Sequence, residues 1–174
     1  MDKKPQKWNN GKPYVDNKQP QREQNKDQRD TPKNVFNKIS FVDKWITEGA
    51  DESLVEYANE MGRYMAPQNK ADRQCLSKYQ IRNIYGEIKR IQLKGIKKDK
   101  ASFILLKAKV AYAEGRNKTM GLSLFKMIFD KAWEVTCKEL NSIEDDNKQK
   151  QIYENFCSML EAILAYHTAY GGKD

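Results

Sequence analysis

Residues 77–93 read SKYQIRNIYGEIKRIQL, and their reading decides the fold. Ile81, Ile84, Tyr85, Ile88 and Ile91 recur at offsets of three, one, three and three. That spacing puts them on one face of a helix, because 3.6 residues make a turn. A strand would need alternation with a period of two. Gly95 stops the pattern, and the basic turn Lys97-Lys98-Asp99-Lys100 follows. The next segment, about Ser102 to Glu114, is apolar almost all round, from Phe103 and Ile104 to Tyr112 and Ala113. Such a helix is expected in the middle of a bundle, with Gly115 as its C-terminal stop.

The same period continues outward in both directions. Thr119 is the expected N-cap of a helix reaching about Leu140, with Phe125, Ile128, Phe129, Ala132, Val135 and Thr136 inward. After the acidic break Glu144-Asp145-Asp146, a last helix spans about Lys148 to Ala169 and ends at Gly171-Gly172. Its inner side carries Ile152, Phe156, Met159, Leu160, Ile163 and Tyr170. Upstream, Phe36, Ile39, Val42 and Ile46, with Phe41 and Trp45 beside them, predict one helix from Val35 to Gly49. Ser53 and Glu56 have capping-box spacing before a helix carrying Leu54, Val55, Ala58, Met61 and Met65. Pro67 closes that helix, and a polar loop follows. No segment alternates with a period of two, so no sheet is expected. The fold class is all-α, a compact bundle of about five to six helices over residues 35–174.

Residues 1–34 differ in kind. They are rich in Lys, Gln, Asn and Asp and hold Pro5, Pro13, Pro20 and Pro32. Trp8, Tyr14 and Val15 are the only large apolar groups there after Met1, too few to offset the entropy of ordering. This stretch reads as a disordered basic polar tail.

The 174 residues carry 32 Lys and Arg against 24 Asp and Glu, a formal net charge of +8. That excess favours a polyanionic partner. Cys75, Cys137 and Cys157 form no close pair and suit a reducing cytoplasm. The start of the chain has no apolar stretch of the secretory kind, and no run nears the roughly 18 apolar residues of a membrane span.

Catalytic chemistry finds little to work with. His167 is the only histidine, and no CxxC or HxxxH spacing provides a metal site. Gly95 and Gly115 are isolated, so no phosphate-cradling loop occurs. No enzymatic activity, cofactor or metal is expected. The basic residues are more informative. Lys78, Arg82 and Lys89 form a stripe beside the apolar face of residues 77–93. Arg90 and Lys94 share a neighbouring stripe with Asn83, and Gly86 lies between the two. Lys107 and Lys109 interrupt the apolar helix, and Arg116 and Lys118 follow it. Together they can neutralise phosphates along a strand.

Three blocks carry a resemblance. They are Leu76 to Ile91, Leu105 to Arg116 (LLKAKVAYAEGR), and Phe156 to Gly172, with LEAILAYHTAYGG at its end. In order and spacing they resemble the small subunit of the type III-A CRISPR-Cas effector, the Csm complex. The resemblance implies a helical bundle without its own activity. Several copies would stack head to tail beside other subunits of the complex in the cytoplasm. They would line the channel of guide RNA and target RNA by backbone contacts. It implies RNA contacts at Lys78, Gln80, Arg82, Lys89 and Arg90 from the first block and at Lys107, Lys109 and Arg116 from the second. Ala108 stands where many relatives are expected to have proline, and the long N-terminal stretch exceeds the family core. A helical protein–protein adaptor with incidental basic charge is the alternative. A ribonuclease built on His167 with a tyrosine is a third.

Overall fold

A computed structural model describes residues 30–37, 42–68 and 71–172. Trp8, Tyr14 and Val15, Ile39 and Phe41 lie outside the described residues, and so do the expectations placed on them. Among the described residues seven helices follow one another: α1 (Pro32–Asn37), α2 (Val42–Thr47), α3 (Glu52–Met65), α4 (Lys78–Lys94), α5 (Lys100–Arg116), α6 (Met120–Ser142) and α7 (Asp146–Ala169). No strand occurs among the described residues.

The stretch expected to be one helix from Val35 to Gly49 holds the end of α1 and all of α2, and residues 38–41 between them lie outside the described residues. Pro32 occupies the first helical position, where its missing N–H has no intrahelical partner to lose. The Asn34 amide donates to Thr31 Oγ1 at 3.3 Å. The helical segment therefore begins before Val35. The start of α3 also differs from expectation. Asp51, not Ser53, is its N-cap: Asp51 Oδ1 accepts from the Leu54 amide at 3.1 Å. Ser53 instead donates to that carboxylate at 2.5 Å, and the buried Trp45 indole donates to it at 2.9 Å. Lys44 donates to the second oxygen at 2.7 Å. Lys44, with these other donors, holds the Asp51 carboxyl far below the usual carboxylate range. Asp51 wins the cap because it joins the helix start to Trp45 on α2, whereas Ser53 is already inside the first turn.

The long helices α6 and α7 and the shorter α3 build the centre. α3 packs most extensively against α7, and α2 lies on both α6 and α7. Two side chains on α7 tie it to neighbours through buried hydrogen bonds: Asn155 Nδ2 to the Ile46 carbonyl at 2.9 Å, and Tyr153 Oη to the Ile88 carbonyl at 3.0 Å. α3 and α7 approach closely at Gly62, where an added Cβ would lie 2.6 Å from the His167 backbone nitrogen.

α5 departs from the expected central position. It packs on α4 and α6 and buries only Phe103, Leu106 and Val110. Its opposite side leaves Ile104, Leu105 and Tyr112 exposed, at 49%, 59% and 69%. Nearly uniform apolarity is compatible with an edge helix whose second face is available to something else. The helix also runs on through Gly115 to Arg116, with Asn117 as C-cap. Ala108 keeps it unbroken where a proline would remove a backbone hydrogen bond.

The approach to α4 is fixed through one residue, Leu76. The Leu76 amide donates to the Met65 carbonyl at 2.9 Å. The Leu76 carbonyl meets His167 Nε2 at 2.8 Å, which assigns the proton of the neutral ring to Nε2. His167 is fully buried, and Gly172 lies against its imidazole. This is a core histidine that reaches no solvent.

Burial holds the His167 pKa below the ordinary histidine value, and nearby Lys78 acts in the same direction. The folded state therefore excludes a proton that the unfolded chain binds. Its stabilisation is fully present above the unfolded pKa of about 6.5 and is lost as pH falls below it. The urea midpoint should drop between about pH 7 and pH 5, and a His167→Gln variant should lose that part of the pH dependence. A wild-type midpoint that stays level across this window would contradict the account.

Candidate nucleic-acid interface

α4 and α5 form an antiparallel pair joined by a tight basic turn, so the N-terminal end of α4 lies beside the C-terminal end of α5. Ser77 caps α4 by accepting from the Gln80 amide at 3.3 Å, while Gln80 Oε1 accepts from the Ser77 amide at 3.0 Å. The Gln80 side-chain amide also donates to the Asn117 carbonyl at 3.3 Å, which locks the two helix ends together. Gln80 thus has a structural role at the site, and the spacing Ser77 to Gln80 was the signal for it.

Between the two helices runs a groove of about 480 Å³. Tyr79, Asn83 and Gln80 line it from α4, and Lys109, Tyr112 and Arg116 line it from α5. Lys78 and Arg82 lie round the other side of α4, in a second groove against α7 with Tyr85 and Glu161. The eight candidate residues are therefore not one continuous stripe. Gln80, Lys109 and Arg116 share the α4–α5 groove. Lys78 and Arg82 share the α4–α7 groove, with Lys89 at the same helix face. Lys107 points away from both, to α6, where it pairs with Glu134 at 2.8 Å and sits 4.7 Å over the Trp133 ring.

Several of these cations already have carboxylate partners. Lys89 is ion-paired with Glu161 and lies 5.6 Å from the Tyr85 ring centroid. The Glu161 contact raises the Lys89 pKa, and Tyr85 adds to it. Arg90 donates to Glu87 at 2.9 Å and to Asp99 at 2.6 Å, which staples the end of α4 to the turn. Lys109 reaches Glu87 at 3.3 Å. Arg90 and Lys109 together hold the Glu87 carboxyl below its ordinary range. Among the described residues no carboxylate pairs with Lys78 or Arg116. Partly exposed pairs of this kind are worth little each and exchange readily for other anions.

Sequence reasoning did not single out Tyr79 and Tyr112. Both are strongly exposed, Tyr79 at 76%. Tyr79 lies outside the Ile81–Ile91 stripe. Tyr112 was hidden within a helix read as buried all round.

No group of His, Cys, Asp or Glu able to hold a metal occurs among the described residues. Burial pushes the Cys157 thiol up to about 12 and raises the Cys137 pKa, so both are poor nucleophiles. No described helix is long and apolar enough to cross a membrane.

The Csm2 Type III-A family matches residues 48–173, which takes in α3 to α7 and both grooves. The chain belongs to the Csm2 Type III-A family. It is thus a subunit of a type III-A CRISPR effector, in a family of structural small subunits. Searches with the chain matched no curated protein and no solved structure. The family match covers all three blocks that carried the resemblance, Leu76 to Ile91, Leu105 to Arg116 and Phe156 to Gly172.

Proposed function

We propose that this Csm2 Type III-A chain is a non-catalytic RNA-binding wall of its cytoplasmic effector, serving antiviral and anti-plasmid defence. It binds the guide RNA and target RNA through phosphate and sugar, without reading sequence, while copies of itself stacked head to tail extend the surface. The observation that carries this reading is the pair of grooves flanking α4, which gather Lys78, Arg82, Lys109 and Arg116 on rigid helices. A subunit that must serve any guide needs backbone contacts rather than base-edge readout. The buried His167 supports a role without catalysis, since its ring reaches no substrate. Lys89, Arg90, Lys107 and Lys109 join the RNA only by giving up Glu161, Glu87 with Asp99, Glu134 and Glu87 respectively. Gln80 contributes mainly by holding the α4–α5 end in shape.

Salt titration of RNA binding by the full chain tests the reading. Arg82→Ala and Arg116→Ala should each lower the salt slope by about one and weaken binding about fivefold at about 0.1 M salt, whatever the RNA sequence. Unchanged affinity and slope in both variants would remove the grooves as phosphate contacts. The exposed stripe of Ile104 and Leu105 favours a second reading, a protein–protein adaptor. Assembly with the protein partners in the absence of RNA, with no salt-sensitive RNA binding, would select it.

A further inference from the structure

We propose that the α4–α5 groove holds one unpaired nucleotide of bound RNA, its base against Tyr79 and Tyr112 and its phosphate on Lys109 and Arg116. This rests on the RNA-binding reading above and adds a specificity to it, for unpaired over paired nucleotides.

Four observations converge. Tyr79 and Tyr112 come from opposite walls, α4 and α5, and line the same groove. Both rings are largely exposed, at 76% and 69%, so neither serves the core. Single exposed aromatics are ordinary, but two in one cleft offer π-faces to a flat apolar ligand. The groove lining contains the two cations Lys109 and Arg116 and no carboxylate, with Glu87 the partner that Lys109 exchanges for a phosphate. The α4–α7 groove, by contrast, includes Glu161 in its wall. A volume of about 480 Å³ lies within the range of small-molecule sites.

The chemistry of the lining selects the ligand. A base inside a duplex has both faces covered by its neighbours. Only an unpaired or extruded base can offer a face to a tyrosine. Asn83 and Asn117 add side-chain amides that donate and accept, able to meet a base edge or a ribose hydroxyl without demanding one base. Gln80 holds the two walls at fixed separation through the Asn117 carbonyl.

The test uses the full chain and three RNA probes of one sequence. One is single-stranded, one is a perfect duplex, and one is a duplex with a single extruded 2-aminopurine. The fluorescence of that analogue falls when it stacks. The extruded probe should be quenched on binding. Tyr79→Ala and Tyr112→Ala should each weaken binding of these two probes about tenfold, with duplex binding changed by less than about twofold. Tyr→Phe at either position should stay within about twofold of wild type, because the ring is kept.

Wild-type affinity for the extruded probe in both alanine variants, with salt-sensitive RNA binding intact, would overturn the clamp and leave the RNA-binding reading standing. Equal losses on duplex and single strand would overturn it too. Loss of association with protein subunits in the absence of RNA would assign the tyrosines to a protein contact instead. Absence of salt-sensitive binding by the wild-type chain to all three probes would end both the clamp and the reading beneath it.

Discussion

Phe103→Ala should lower the unfolding free energy by about 3–5 kcal/mol, the usual cost of removing a fully buried phenylalanine. Its ring is 0% exposed and meets Tyr153 and Phe156 edge-on, each at 5.5 Å between centroids. Trp133 stacks on it at 6.0 Å, and the Trp133 indole donates to the Phe103 carbonyl at 3.0 Å. Because α5 buries only Phe103, Leu106 and Val110, the loss falls on the helix that forms one wall of the groove. A domain of this kind has about 5–15 kcal/mol in total, so the variant is left marginal. Urea unfolding measures the effect, with Ile104→Ala alongside. Ile104 is 49% exposed one residue away, and its change should stay within about 0.5 kcal/mol. Equal midpoints for the two variants would show that the aromatic cluster does not anchor α5.

Gly121→Ala is expected to cost about 1–3 kcal/mol and to weaken RNA binding as well. Gly121 is in the first turn of α6, and its amide donates to the Gln74 carbonyl at 2.8 Å. A Cβ there would overlap the Leu76 amide nitrogen and lie 2.9 Å from the Cys75 carbonyl carbon. The helix itself would gain at most about 1 kcal/mol from alanine. Two backbone atoms that cannot swing aside outweigh that gain. The Leu76 backbone would have to move, and its amide and carbonyl are held by Met65 and His167 while its neighbour Ser77 caps α4. The displacement is thus passed to Lys78, Tyr79 and Gln80, at the mouth of the groove. Thermal unfolding together with RNA affinity at fixed salt checks both halves. A variant as stable as wild type, or one destabilised yet binding normally below its melting range, would break the link between this contact and the groove.

The parts of the fold governed by local chemistry were legible in the sequence. Thr119 caps α6, and the inward faces of α6 and α7 match their periodic residues, from Phe125 and Ile128 to Leu160 and Ile163. Tyr170 is the exception: it is 43% exposed and donates to Asn59 at 2.6 Å on the surface. The misreadings share one cause, that local spacing does not record what packs against a residue. α5 was placed in the middle because it is apolar all round, yet only one of its faces is covered. Ser53 was read as the cap from its local capping-box spacing, whereas the bond from Trp45 that favours Asp51 depends on how α2 packs. For the candidate site, the basic residues were legible and their partners were not. Glu161 and Glu134 lie far along the chain from Lys89 and Lys107, and no spacing rule brings them together.

The pairing of α3 with α7 has a consequence for synthesis on the ribosome. About 80 residues separate the end of α3 from the start of α7. At roughly 5–20 residues per second, translation takes several seconds to cross that gap. Throughout it, the inner face of α3, with Leu54, Tyr57, Met61 and Met65, lacks its main cover. The bundle is therefore closed by its farthest element, and the nascent chain carries an open seam until α7 emerges.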